Sequence, residues 1–408
     1  MRTGEPAAEP SLTEVMRQWG RIGSVGFGGP PAHIALFHEL CVERRGWLTD
    51  ADFERALAAV NLLPGPASTQ LAIYCAWRLR GPRGALVGGI CFIAPGLVLI
   101  LVLSALFLSR SAPTWVRGAG LGAGAAVAAV AVRAGLGVAR PIWSRAGGRR
   151  ARVLAYGAAG GVVAAVTGAW LVLVLVGCGA LELARTPLVG GAARLRLLSP
   201  AGIPALAHRR LGGLATALAR GPLLAAGIHE GGVGALAWTA LKVGALSFGG
   251  GFVIVPLMQA DAVNTYHWMT HGQFLNAVAL GQVTPGPVLQ TVAAVGYAAG
   301  GVPDGLLAAA VAFAPSFSFV LLGAARFQRL LADQRVSAFL AGASPAAAGA
   351  IIGSAVPLAS ALSQPWQYAL LAGAAFALLV LRRGVVQTLL AAGAVGTLAA
   401  LLGASIPH

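Results

Sequence analysis

The feature that most constrains this chain is a series of apolar stretches as long as a membrane-spanning helix. One stretch occupies residues 86–108 and another residues 153–183. A transmembrane helix needs about 20 mostly apolar residues. Only 10% of the residues are charged, whereas an ordinary soluble domain has about 25%. We therefore predict an all-α polytopic membrane protein with about ten transmembrane helices, whose first partner is the lipid bilayer.

The net charge of +16 does not indicate a nucleic-acid-binding protein. Of the 29 basic residues 28 are Arg, and most stand between the apolar stretches rather than in one patch. Cytoplasmic loops of membrane proteins collect Lys and Arg in this way. The distribution therefore favours loops that set the topology, and we expect no nucleic-acid partner.

Catalytic and metal-binding arrangements are not apparent in the sequence. The four cysteines lack CxxC spacing, and the single lysine, Lys242, is followed by Val243, so the chain has no P-loop. His267 and His271 have helical spacing but fall in an expected interfacial loop. No nucleophile with its partner residues stands out. We expect no enzyme, no metal, no disulfide and no cofactor, and the N-terminus does not read as a cleaved signal.

The chain contains an internal duplication. An offset of 221 positions aligns residues 21–93 with residues 242–314 without a gap and gives nineteen identities in seventy-three places. The rarer matches carry the evidence, because Gly, Ala and Leu recur by chance in such a chain. They pair Phe27 with Phe248, Trp47 with Trp268, Phe53 with Phe274, and Pro64-Gly65-Pro66 with Pro285-Gly286-Pro287.

We divide the chain into a first repeat at 1–184, an Arg-rich cytoplasmic linker at 185–228 and a second repeat at 229–408. The loops around residues 78–83 and 140–152 are rich in Arg, whereas their counterparts at 300–305 and 363–367 contain no Lys or Arg. Because positive loops stay inside, the two homologous halves are predicted to have inverted topology. Inversion requires an odd number of crossings, so we expect five spans per repeat and one re-entrant or broken piece around GFGG or PGP.

The PGP motifs are the strongest candidates for a binding site. Proline removes a backbone donor and breaks a helix, and a broken helix at matching places in two repeats indicates a transporter site at the membrane midplane. The helix that resumes after PGP presents free N–H groups that suit an anion. The candidate substrate-binding residues are Gly28, Gly29, Asn61, Pro64, Gly65, Pro66, Ser68, Thr69, Gln70, Gly249, Gly250, Gln282, Thr284, Pro285, Gly286, Pro287, Gln290 and Thr291.

Other interpretations of these motifs stay open. PGP can be a kink whose freed groups neighbouring helices satisfy, and the glycine pairs can serve close helix packing. The alignment also pairs Arg21 with Lys242. These two complete the candidate site as a source of positive potential for an anion, although snorkelling to the membrane interface explains them equally well.

Five segments resemble the chromate ion transporter family in its long, two-domain form. They read FGGPPAHIALFHEL, RRGWLTDADF and LLPGPASTQLAIY in the first repeat, and SFGGGFVIVPLMQ and ALGQVTPGPVLQTVAAVGY in the second. The resemblance covers about residues 12–110 and 233–325. The family's FGG motif falls on Phe27–Gly29 and Phe248–Gly250, and its PGP motif on the two proline-flanked glycines. Gln290 and Thr291 depart from the more apolar stretch expected after the second PGP.

The resemblance implies a multi-pass protein of the cytoplasmic membrane that exports chromate, confers chromate resistance and draws on the proton gradient. Sulfate, a dianion of the same shape, is the expected competitor, and a sulfate or other oxyanion transporter is the first alternative. A channel or scaffold protein is the second alternative, and an intramembrane enzyme has little support. The coupling ion, a homodimeric state and the side of the termini are left open.

Overall fold

The computed structural model describes residues 9–62, 65–109, 112–167, 170–186, 231–247, 252–323 and 333–405. Within these residues the chain forms helices and no β-strand. Four helical stretches are long and apolar enough to cross a membrane: Ala67–Phe107, Thr114–Ser144, Val288–Gly323 and Gln334–Ser360. The predicted all-α polytopic membrane fold is confirmed.

The first repeat contains seven α-helices in the described residues. They are α1 (Leu12–Val25), α2 (Pro30–His38), α3 (Asp50–Leu62), α4 (Ala67–Phe107), α5 (Thr114–Ser144), α6 (Arg150–Val166) and α7 (Leu171–Arg185). A π-helical turn at Glu39–Arg44 continues α2. Helix α4 is interrupted at Arg80 and Gly81, where Gly81 has a φ of +60°, so it consists of two arms.

The second repeat follows the same order. Its helices are α8 (Val233–Ala245), α9 (Ile254–Gln259), α10 (His271–Val283), α11 (Thr291–Gly323), α12 (Gln334–Gly353), α13 (Ala355–Ser360), α14 (Pro365–Ala375) and α15 (Val385–Leu401). A π-helical turn at Ala260–Thr265 and the limits of α10 lie 221 positions after their counterparts in the first repeat. The interruption of α11 at Gly300 and Gly301 repeats the backbone angles of the interruption in α4.

Each repeat begins with two helical hairpins. In the first repeat, Asp52 near the start of α3 lies 3.6 Å from Arg78 at the end of the first arm of α4, so the chain turns back at PGP. The preceding hairpin turns at GFGG: Glu14 of α1 pairs with Arg45 at 3.1 Å, and Trp19 stacks on Trp47. We expected one re-entrant piece per repeat at one of these motifs, and the first repeat has a turn at both, whereas residues 248–251 of the second repeat lie outside the described residues.

The hairpins of the two repeats enter from opposite ends of the molecule. The second arm of α4, residues 82–107, is about 39 Å long at 1.5 Å per residue. It leaves the open end of the first hairpins and ends at Leu108, which lines a cavity with Thr270, His271 and Tyr297 at the open end of the second hairpins. This geometry agrees with the inverted repeats that the arginine bias predicts.

One end of the molecule collects almost all the described arginines of the loops and hairpin bases. We call it the arginine-rich end, and its members are Arg44, Arg45, Arg55, Arg78, Arg80, Arg83, Arg140, Arg145, Arg149, Arg150, Arg152, Arg185, Arg335, Arg382 and Arg383. At the other end, which we call the vestibule end after the cavities there, the lining of those cavities contains one described Lys or Arg, Arg117 in the first turn of α5.

Among the described residues of each repeat, four helices run from one end of the molecule to the other, in addition to the hairpins. We expected five crossings per repeat. The end-to-end helices are the second arm of α4 with α5, α6 and α7, and the second arm of α11 with α12, α14 and α15. Residues 187–230 lie outside the described part, so the linker at 185–228 and the domain limits stay predictions. The flanking residues Thr186 and Gly231 lie at opposite ends of the bundle.

The helices form two bundles that each mix the repeats. Helices α1 and α8 pack on α4 and α11, and the latter two pack on each other; we call this group with its hairpins the hairpin bundle. Helices α5, α6 and α7 pack on α12, α14 and α15 and form the scaffold bundle. Packing here is close because glycines face backbone: a Cβ on Gly349 would collide with the carbonyl of Gly157.

Candidate functional site

The two PGP motifs lie at matching breaks in the hairpin bundle. In the first repeat α3 ends at Leu62 and α4 begins at Ala67; in the second α10 ends at Val283 and α11 begins at Thr291. Gly65 and Gly286 have φ of +124° and +92°, which a residue with a Cβ rarely adopts. Both glycines are buried. The prediction that PGP breaks the helix in each repeat is therefore confirmed by the backbone.

Each break packs against the interrupted long helix of the other repeat. Gly65 lies against Ser316 of α11, where a Cβ on Gly65 would be 3.3 Å from the serine Oγ. Reciprocally, a Cβ on Gly96 of α4 would collide with the carbonyl oxygen of Pro285. Gly96 and Ser316 each follow a proline inside the second arm of their helix, at Pro95 and Pro315. The two breaks thus meet at one interface between the repeats.

Further hydrogen bonds tie this interface together. The amide of Gly286 donates to the carbonyl of Gly26 at 3.0 Å, which joins the first GFGG turn to the second PGP. The side chain of His33 lies 2.9 Å from the same carbonyl through Nε2. Gln290 donates through Nε2 to the carbonyl of Ile93 in α4 at 2.8 Å. Hydrogen bonds between the repeats therefore fix the position of the second break.

Buried polar atoms without a partner lie at the breaks. They are Thr69 Oγ1, Gln282 Nε2, Gln290 Oε1 and Ser316 Oγ. Leaving such a group unsatisfied in the interior costs about 1–3 kcal/mol. The hydroxyls and the Gln282 amide can donate, and the first-turn N–H groups of α4 after Pro66 have no side-chain cap. Neutral donors in this arrangement suit the oxygens of an anion.

The structure places the predicted site residues unevenly. Gly65, Pro66, Ser68, Thr69, Gln70, Gln282, Thr284, Pro285, Gly286, Pro287, Gln290 and Thr291 are buried at the breaks. Thr284 and Thr291 use their hydroxyls within their own turns, to Leu280 and Val288. Gly28 and Gly29 lie at the exposed side of the first turn. Pro64, Phe248, Gly249, Gly250 and the side chain of Asn61 lie outside the described residues.

The two predicted cations differ in their surroundings. Lys242 Nζ lies 2.6 Å from Asp261 Oδ2, with the side chains only 23% and 14% exposed, and Thr239 donates to the same oxygen at 2.8 Å. The lysine charge is therefore compensated. Arg21 is exposed and makes no ion pair with a described residue. The role of either residue toward an anion stays a prediction.

Sequence reasoning missed Ser316 and Asp261. Ser316 lies thirty residues after Gly286 in an apolar helix, and no local pattern marks it. Asp261 aligns with Leu40, so the comparison of the repeats gave no reason to select it. The one signal that could have found Asp261 is that it is an acidic residue among apolar neighbours.

Two cavities open at the vestibule end, where α10 begins. They measure about 940 Å³ and about 640 Å³ and share Leu108, Thr270, His271 and Gln273; together we call them the vestibule. The second reaches Asn276 on α10. From Asn276 to Val283 the next cavity is lined almost entirely by apolar residues. The polar vestibule thus stops about 12 Å along the helix from the second break.

Comparison with known proteins places the chain in a family. The family model described as chromate transporter matches residues 13–183 and 234–398, which cover most of both repeats. The chain belongs to the chromate transporter family. A chromate transport protein of Cupriavidus metallidurans is 31% identical over 94% of this chain and 92% of its own length.

Two further relatives of this family member support the assignment. A chromate transport protein of Pseudomonas aeruginosa is 31% identical over 87% of this chain and 82% of its own length. A probable chromate transport protein of Synechococcus elongatus is 28% identical over 85% of this chain and 84% of its own. No solved structure matches the chain.

Proposed function

We propose that this protein is a secondary active transporter that exports chromate across the plasma membrane, with the anion held between the two PGP breaks. The observation that carries the proposal is the reciprocal packing of the breaks, which brings buried, unpartnered donors of both repeats to one interface. The names of the relatives support chromate as the transported anion. The arginine-rich end would face the cytoplasm.

The chemistry of the site suits a tetrahedral dianion. Thr69 and Ser316 would donate hydroxyls, Gln282 would donate its amide, and the first N–H groups of α4 would add backbone donors and the positive end of the helix dipole. No carboxylate is among the described residues that contact the breaks. Sulfate offers the same shape and charge, so we expect it to compete.

In alternating access, the hairpin bundle would move relative to the scaffold bundle, rather than one repeat relative to the other. The repeats are interleaved, and the scaffold bundle is closely packed at glycines such as Gly157, Gly160 and Gly349. The main contact between the bundles is α10 on α5, where Gly120 and Gly124 allow Asn276 and Leu275 to approach. Sliding at this contact would open the breaks to one end at a time.

Chromate uptake into inverted membrane vesicles tests this proposal. We expect saturable uptake that sulfate inhibits and that a protonophore abolishes. Loss of a hydrogen bond to a charged group costs about 1.5–3 kcal/mol, so Ser316→Ala and Thr69→Val should each weaken apparent affinity by about tenfold or more.

Ser104→Ala is the matched control, because Ser104 is also a fully buried serine in an interrupted helix with an unpartnered hydroxyl. It should transport like the unaltered protein. An absence of saturable uptake in vesicles that contain folded protein would overturn the proposal. Equal losses of apparent affinity in Ser104→Ala and Ser316→Ala would show that the anion is not bound at the breaks.

A further inference from the structure

A second polar site lies at the arginine-rich end of the scaffold bundle, away from the breaks. It is a cavity of about 220 Å³ between α5, α6, α7 and α12. We call it the arginine pocket and define it by Arg145, Arg149, Arg152, Tyr156, Glu182 and Ser337. The first repeat supplies all of these except Ser337, so both repeats line the pocket.

Cations outnumber the one described carboxylate of the pocket. Glu182 is 5% exposed, and its two oxygens accept from Arg152 at 2.8 Å and from Tyr156 at 2.9 Å. Arg185 donates to the Tyr156 hydroxyl at 3.1 Å, and Arg149 lies 4.0 Å from Glu182. A single negative charge thus stands among four guanidinium groups when Arg145 is counted. Their mutual repulsion would be relieved by a bound anion.

The surroundings of the pocket are those of a membrane interface. Trp143, 38% exposed, lies under the guanidinium of Arg150 at 5.3 Å, and tryptophan concentrates at the headgroup level. Leu154 and Leu181 adjoin lining residues and are 60% and 44% exposed. Apolar surface for hydrocarbon therefore lies beside an anion site, which is the combination a phospholipid needs.

We propose that the arginine pocket binds the headgroup of an anionic phospholipid, with Arg145 and Arg149 donating to the phosphodiester and the acyl chains lying along α6 and α7. Guanidinium forks match phosphate oxygens in two parallel hydrogen bonds. Basic pockets between membrane helices at the cytoplasmic side recognise such headgroups. Free phosphate shares the chemistry of the headgroup but would make no use of the apolar surface.

A lipid at this position would join the two repeats. Ser337, Leu340 and Ser344 of α12 line the pocket opposite α6 and α7. Farther along, a Cβ on Gly342 would collide with the carbonyl of Cys178, so α12 already packs closely on α7. The bound headgroup would screen the arginines from one another and stabilise the scaffold bundle against which the hairpin bundle moves.

Native mass spectrometry of the purified full chain tests the proposal. The protein is taken from vesicles of phosphatidylglycerol and phosphatidylcholine in equal parts, and retained lipid is counted as detergent is stripped. We expect one phosphatidylglycerol to remain and no phosphatidylcholine. The double variant Arg145→Ala, Arg149→Ala should lower its apparent affinity by about tenfold or more, because two charged donors are removed.

The double variant Arg83→Ala, Arg140→Ala is the control, since it removes two exposed arginines of the same end that do not line the pocket. It should retain the lipid. Arg145→Gln, a milder change, replaces the test variant if that variant elutes as aggregate. Equal retention in test and control variants, or equal retention of phosphatidylcholine, would overturn the proposal. A rise in melting temperature with inorganic phosphate equal to that with phosphatidylglycerol would assign the pocket to free phosphate instead.

Discussion

The two repeats share their helix order but differ at the open ends of their hairpins. In the first repeat charged pairs close this end: Asp52 bonds Arg55 at 2.7 Å and lies 3.6 Å from Arg78, and Glu14 bonds Arg45. In the second repeat the same place holds the vestibule, whose lining includes neutral side chains such as Thr270 and Gln273 and the single arginine Arg117. The hairpins of the first repeat are thus closed by charged pairs at their open end, whereas those of the second repeat border a cavity.

The repeats also differ in the surroundings of their predicted cations. Lys242 is paired with Asp261, whereas the first repeat, which has Arg21 at the position of the lysine, has Leu40 at the position of the aspartate. Helix α8 is apolar apart from Thr239 and Lys242, whereas α1 exposes Arg17, Arg21 and Ser24. A cation can therefore remain in an apolar helix when the chain supplies its counter-charge, and remains exposed when it does not.

Among variants that test the difference between the repeats, the largest loss of stability is expected at Gly96. Its counterpart Ser316 tolerates a side chain, but a Cβ on Gly96 would collide with the Pro285 carbonyl. Gly96→Ala should therefore cost about 3 kcal/mol or more through overpacking, measured as loss of melting temperature in detergent. Gly137→Ala is the control, because a Cβ there meets nothing within 4 Å and alanine favours a helix. An unchanged melting temperature of Gly96→Ala would contradict the packing of the second break.

The second effect tests the difference between the cations. Lys242→Met leaves Asp261 86% buried without its partner, and should cost about 2 kcal/mol after allowance for its partial exposure. The double variant Lys242→Met, Asp261→Leu copies the leucine of the first repeat and should recover most of the melting temperature. Arg21→Met should change it little. A double variant as unstable as the single one would show that the pair does not explain the cost.

A smaller effect is expected when the closed end of the first repeat is loosened. Asp52→Asn removes the charge that Arg55 and Arg78 share, and exposed pairs contribute at most about 1 kcal/mol. We expect faster maleimide labelling of Cys75, which is buried in the first arm of α4. Glu54→Gln, on the same helix, is the control without an ion pair to a described residue. Equal labelling rates in both variants would exclude the pairs as a closure.

The same carboxyl gives a pH dependence. The hydrogen bond from the Thr49 hydroxyl, assisted by Arg78 and Arg55, lowers the pKa of Asp52 below its ordinary 3.8. Because the folded-state pKa is lowered, its contribution to stability is complete above pH 3.8 and is lost as pH falls through the lowered pKa. The melting temperature should therefore fall at that acid limit, and Asp52→Asn should make this fall smaller.

The smallest effect is expected at His38. Its ring lies 2.7 Å from Asp50 and 3.1 Å from Glu43, and the hydrogen bond to Asp50 raises the pKa of His38 above 6.5. A raised pKa stabilises the fold at low pH and ceases to do so as pH rises through it. His38→Gln copies Gln259 of the second repeat and should lower the melting temperature slightly at pH 6 and not at pH 9. His271→Gln should lower it at neither pH.

The sequence predicts those features of the fold that depend on neighbouring residues or on the alignment of the two repeats. The interruptions at PGP follow from proline chemistry, and the matched π-helical turns follow the offset of 221. The arginine bias predicted the opposite entry of the hairpins. These features depend on a residue and its neighbours or on the alignment of one repeat with the other.

What the sequence could not predict depends on contacts between distant segments. Gly96 and Ser316 correspond at an offset of 220 rather than 221, because the hairpin arm after the second PGP is one residue shorter before its kink. A gapless alignment therefore pairs Ser316 with Pro95 and hides the reciprocal packing. The same limit applies to Arg21 and Lys242, whose alignment does not reveal that only one has an aspartate nearby.

The most direct test of the proposed anion site is a structure with bound selenate, a tetrahedral dianion whose selenium scatters anomalously. We expect one anomalous peak within hydrogen-bond distance of Thr69 and Ser316, between the two proline-flanked glycines, and its loss on competition with chromate. A peak confined to the arginine pocket or the vestibule, with the breaks empty at saturating selenate, would contradict a shared anion site at the breaks.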